Sequence, residues 1–219
     1  MKSPRTAGRQ MLAAAICLAS VPFASAWSSK DYPMFEPVHQ MAIANVLKGN
    51  FSAAEIKVLQ DQQLRVDEDQ KASQSFEHSM TGLEKGQTIQ DQKPLFIART
   101  EEFVRTHLAA AISARKAGST ADALPHLGQA IHPLQDATSP AHRGFQSWSS
   151  DESWFAMAQH VAKERVYPDD SDDKEQVAER KALEGAVRWA YDIYMERAPL
   201  PDHFFDSDGN LLLPASYIQ

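Results

Sequence analysis

Apolar side chains recur at three- and four-residue steps through most of this chain. That spacing commits it to helices, because residues three or four apart share one face of an α-helix. Over residues 35–47 the set Phe35, Val38, Ile43, Val46 and Leu47 follows this rule, and Gly49 marks the end. Ser52-Ala53-Ala54-Glu55 then reads as a capping box that starts a second helix carrying Ile56, Leu59 and Leu64. A third helix is predicted over residues 94–116 with Gly118 as its stop, and a fourth over 120–138, ended by Ser139-Pro140. Residues 154–166 and 174–197 read as a fifth and a sixth, separated by an acidic linker from Pro168 through Asp173. Asp206-Ser207-Asp208-Gly209-Asn210 reads as a turn. A calcium loop there would need a bidentate Glu at its twelfth position, where Tyr217 stands. No strand pattern or internal repeat competes, so the predicted class is all-α.

The first residues predict export. Lys2, Arg5 and Arg9 precede an apolar run, and Ala24-Ser25-Ala26 supplies small residues for cleavage. Residues 1–26 are therefore expected to be a signal peptide and 27–219 a single domain in the periplasm or outside the cell. No later run approaches the roughly eighteen apolar residues of a membrane span, so the mature protein is expected to be soluble and monomeric. Removing a leader with three basic and no acidic residues takes the formal net charge from −7 to −10. An acidic surface argues against tight binding of duplex nucleic acid, although bound metal ions can supply positive charge locally. The single cysteine, Cys17, falls in the leader, so disulfides cannot hold the mature fold and bound metal is a candidate in their place.

The chain has eight histidines. His132 and Asp136 lie four apart on one predicted helix and project from one face. His160 and Glu164 repeat the arrangement on the next helix, and His142 sits between them just past Ser139-Pro140. Imidazole nitrogen with carboxylate oxygen is the ligand chemistry of catalytic zinc. One such pair is ordinarily an ion pair; two pairs with a third imidazole between them point to metal. Pro133 beside His132 removes a hydrogen bond to Gln129 and predicts a kink. His107 and His126 lack an acid at ligand spacing and His203 follows a Pro-rich kink, so all three read as structural, with a contact from His126 to the site left open.

The stretch Leu127-Gly128-Gln129-Ala130-Ile131-His132-Pro133-Leu134-Gln135-Asp136-Ala137-Thr138-Ser139-Pro140-Ala141-His142 resembles the core motif of the zinc-dependent phospholipase C and S1/P1 nuclease superfamily. The resemblance implies an all-α, single-domain bundle around three zinc ions, one of them held by an N-terminal tryptophan, and cleavage after Ala26 would expose Trp27. It further implies that Trp27, His39 and Asp136 hold one zinc. Asp67, His78, His132 and Asp136 would hold a second, and His142, His160 and Glu164 a third. His39 shares the inward register of Ile43 and Val46, where a core histidine would also stand. Asp67 is preferred to Glu68 and Asp69 because Val66-Asp67-x-x-Gln70 ahead of Ser75-Phe76-Glu77-His78-Ser79-Met80 resembles bacterial members.

The activity this implies is phosphodiester hydrolysis by zinc-activated water, with Asp67 both ligating zinc and orienting or deprotonating the water. The expected substrate is a phospholipid headgroup, because the chain is short for the nuclease branch and lacks the cysteines of its eukaryotic members. Ala141, where phospholipases often carry methionine, departs from that side. The alternatives are an S1/P1-type nuclease on single-stranded nucleic acid and a secreted zinc-binding protein without catalysis. Phe145, Trp148, Trp154 and Phe155 can flank a cleft or pack in the core.

Overall fold

A computed structural model describes residues 37–149, 167 and 173–219. The leader, Trp27, Phe35, the predicted fifth helix with His160 and Glu164, and most of the acidic linker lie outside the described residues. Helix α1 spans Val38–Leu47 and follows Pro37, whose fixed φ and missing N–H suit a helix start. Gly49, with φ +90°, ends it. Helix α2 spans Ala53–Asp67, and its capping box forms as predicted: Ser52 accepts from the Glu55 backbone while the Glu55 carboxylate takes the Ser52 N–H at 2.7 Å. A 3₁₀ segment, Ala72–His78, follows.

Helix α3 spans Ile89–Lys116 and so begins five residues before Pro94, the predicted first position. Thr88 is the reason: its hydroxyl caps the Asp91 N–H and donates to the Asp91 carboxylate at 2.7 Å, which outweighs the proline signal further along. Helix α4 spans Thr120–Asp136 and continues through both Pro125 and Pro133. Helix α5 spans Lys174–Tyr194, three residues shorter than its predicted end. The only strands among the described residues are two-residue pieces, Thr81–Gly82 (β1) and Ser147–Trp148 (β2), paired in parallel. The predicted turn forms at Asp206, whose Oδ1 accepts the backbone N–H groups of Asp208 and Asn210 while Phe205 bridges Leu211.

Helix α4 runs through the middle and packs on α2, α3 and α5, while α1 covers α2 and α5. From Leu127 to Asp136 every α4 side chain except Gln129 is buried. A helix buried nearly all round is apolar by rule, so His132, Gln135 and Asp136, all without solvent exposure, are the exceptions that need a partner. Gly128 sets the α2–α4 distance: a Cβ there would meet Gln62 Cβ at 2.8 Å and the Leu59 carbonyl at 3.1 Å. Among the described residues no helix is long and apolar enough to cross a membrane.

Candidate metal centre

Five polar side chains from four segments meet in this core. His39 comes from α1, Asp67 from the last turn of α2, His78 from the end of the 3₁₀ segment, and His132 and Asp136 from α4. All five are buried, none more than 6 % exposed. Asp136 is the hub. Its Oδ1 lies 3.0 Å from His39 Nε2, and its Oδ2 lies 3.2 Å from His78 Nδ1 and 3.1 Å from His132 Nε2. Asp67 Oδ1 stands 3.5 Å from His132 Nε2 and 4.0 Å from His78 Nδ1. The two imidazole nitrogens are themselves 3.2 Å apart.

His78 Nδ1, His132 Nε2 and Asp136 Oδ2 form a triangle with sides of 3.1–3.2 Å, and Asp67 Oδ1 stands 3.5 and 4.0 Å from its two nitrogens. A zinc ion with ligands at about 2.0–2.1 Å has ligand–ligand separations of about 3.3 Å, close to most of these distances. Asp67 tests the fit independently, because neither of its buried carboxylate oxygens has a hydrogen-bond partner in the protein. Buried polar atoms without partners are costly, and a cation at this point would satisfy them. Two groups here can hold a metal ion: His39, Asp67 and His132, and His78, His132 and Asp136. They share His132.

The carboxylates differ electrostatically although both are buried. Burial opposes charge on Asp136, but the charges and hydrogen bonds of His132 and His39 outweigh it and hold its carboxyl well below the usual range. At Asp67 burial wins over the attraction of His132, His39 and His78, and its carboxyl is pushed up. Burial likewise pushes His132 down. For His78 the opposition of burial is overcome by its hydrogen bond to Asp136 and the charges of both acids, leaving it raised.

His142 is 1 % exposed, donates its Nδ1–H to the His78 carbonyl at 2.5 Å, and belongs to neither group that could hold an ion. Trp27, His160 and Glu164 lie outside the described residues. His203 is largely exposed and pairs with Glu101 at 3.3 Å. His107 and His126 are each other's partners, with Nδ1 atoms 3.0 Å apart across the α3–α4 interface. Phe145 and Trp148 are core residues. Phe145 is fully buried edge-on to Phe205, and Trp148 donates its indole N–H to the Gln70 carbonyl at 2.9 Å.

Sequence reasoning missed the residues that support the candidate ligands. Gln63 and Gln135 are fully buried and face His132 and His39, and the Gln70 amide donates to the Asp67 carbonyl at 3.0 Å. Ser79, in the left-handed region at φ 50° immediately after His78, donates its hydroxyl to the Pro133 carbonyl at 2.7 Å. That bond ties the His78 segment to the turn of α4 between His132 and Asp136. The available signal was a polar residue on a face that packing makes apolar. Comparison with protein-family models, curated proteins and solved structures found no match to this chain.

Proposed function

We propose that this chain is an exported, monomeric, zinc-dependent phosphodiester hydrolase of the phospholipase C type, a member of the superfamily its central motif resembles. The supporting observation is the convergence of Asp67 and Asp136 on the His78 and His132 nitrogens, at 3.1–4.0 Å, with both Asp67 oxygens lacking hydrogen bonds. In this reading those four residues hold one zinc. Trp27 and His39 hold a second together with Asp136, and His142, His160 and Glu164 hold a third. Bound zinc supplies a Lewis acid that polarises a phosphoryl oxygen and brings the pKa of water toward neutrality.

The protein's own contribution is placement and proton handling. Asp136 is held ionised by its histidine neighbours and presents Oδ1 to His39 and Oδ2 to His78 and His132, so it would be the ligand shared by two ions. Asp67 would supply one oxygen to the ion and would place the other to orient the attacking water and accept its proton. No protein nucleophile is required.

The test is to saturate the mature protein with zinc and assay phosphatidylcholine, single-stranded DNA and RNA side by side, with D67N alongside. Headgroup release from phosphatidylcholine is expected, and D67N should lower turnover by at least roughly 100-fold, the usual worth of a general base. Turnover of nucleic acid alone would move the activity to the nuclease branch. Three bound zinc ions without turnover of any substrate would leave a zinc-binding protein and remove the hydrolase.

A further inference from the structure

Gln63, on α2, is a fully buried amide, and such a group is tolerated only when its atoms are hydrogen-bonded. Its Nε2 lies 2.8 Å from the Gly128 carbonyl, which can only accept, so the NH₂ side of the amide must face that carbonyl. Its Oε1 therefore faces His132 Nδ1, 3.0 Å away, and an amide oxygen can only accept, so Nδ1 must carry the hydrogen. Gln135, on α4, repeats the logic. Its Nε2 donates to the His39 carbonyl at 3.3 Å, and its Oε1 takes the hydrogen of His39 Nδ1 at 3.1 Å.

Both rings consequently turn Nε2 toward Asp136. His78 is set the opposite way round, because the Asp69 carbonyl lies 3.3 Å from its Nε2 and leaves Nδ1 facing the acids. For His132 and His39 a backbone carbonyl orients the amide, the amide orients the ring, and the ring presents one chosen nitrogen to the cluster. Partners of this kind around a ligating histidine fix its tautomer and raise its basicity.

We infer that Gln63 and Gln135 are positioning residues that select the Nε2-facing form of His132 and His39 and thereby set the affinity of the centre for zinc. The inference rests on the metal reading proposed above. It assigns the two glutamines no contact with the metal or substrate. Gln63 links α2 to α4 and Gln135 links α4 to α1, so the same contacts align three ligand-bearing helices.

The test compares the parent with Q63L, Q63E, Q135L and Q135E by two measurements. Competition with a chromophoric chelator gives zinc affinity, and nitrogen NMR of the histidine rings in the metal-free protein gives tautomers. Q63L and Q135L should bind zinc roughly 10- to 100-fold more weakly. Q63E and Q135E keep an acceptor oxygen and should bind more tightly than their leucine counterparts, which separates positioning from filled volume. In the parent, Nδ1 of His39 and of His132 should carry hydrogen. Q63L should disturb only the His132 signal and Q135L only that of His39. Unchanged zinc affinity in both leucine variants, or parent rings with bare Nδ1, would overturn the inference. A parent with the stated tautomers that binds no zinc would overturn the metal reading instead.

Discussion

Asp136 and Asp67 occupy one cluster yet behave as different acids, and the cause is the number of imidazoles touching each. Asp136 contacts three histidines at 3.0–3.2 Å, which overcomes its burial, whereas the closest imidazole to Asp67 is 3.5 Å away. His107 follows the same logic away from the site. Burial first, and then the neighbouring His126, push its pKa down from 6.5 to about 4. A histidine whose pKa is lower folded than unfolded takes up protons on unfolding, so its contribution to stability is present above about pH 6.5. That contribution is lost as the pH falls toward 4. H107Q removes this dependence. Urea unfolding of the parent and H107Q at several pH values should show H107Q gaining on the parent by about 1–2 kcal/mol between pH 6.5 and 4, with solvent screening of a half-buried group allowed for. A constant difference across that range would show that His107 is not held neutral by its surroundings.

Among the elements, α4 carries most of the argument, and its packing against α2 depends on Gly128. A side chain there would strike Gln62 and the Leu59 carbonyl, and Gln63 sits on the same turn of α2. G128L should therefore destabilise the protein by roughly 2–3 kcal/mol in urea unfolding, despite a gain of up to about 1 kcal/mol in helix propensity. It should also weaken zinc binding, since moving α2 withdraws Gln63 from His132. Stability and zinc affinity matching the parent would show that the two helices can separate at no cost to the centre. The described α-helices were legible because their signals are local. The Ser52–Glu55 box, Gly49 and the Ser139-Pro140 stop each act within a few residues, and α3 was misplaced at its start only because Thr88 went unread. The glutamine contacts were not legible: they join residues 69 and 96 positions apart, and His107 meets His126 only because α3 packs on α4. His39 and His78 came from likeness to a motif. Nothing in their local spacing places them beside Asp136.

For the whole molecule, the centre joins parts of the chain that otherwise meet only through packing. Its described candidate ligands span His39 to Asp136 and draw on α1, α2, the 3₁₀ segment and α4, and no cysteine follows Cys17 to cross-link them. An ion bound by the folded chain and not by the unfolded one stabilises by mass action, by about 4 kcal/mol when free metal is a thousand times its Kd. For a protein of this size each kcal/mol moves the melting temperature by about 2–4 °C. Calorimetry of the zinc-saturated protein before and after chelation should therefore show a fall of about 8–16 °C, reversed by adding zinc back. D136N removes the shared ligand and one buried charge. Its melting temperature should respond little to zinc or chelator, and its metal-free form should fold with the same helical content. If the parent melts at one temperature in zinc and in chelator, the buried acids and histidines stabilise one another through protons alone, and the ion is not the cross-link that replaces disulfides in this fold.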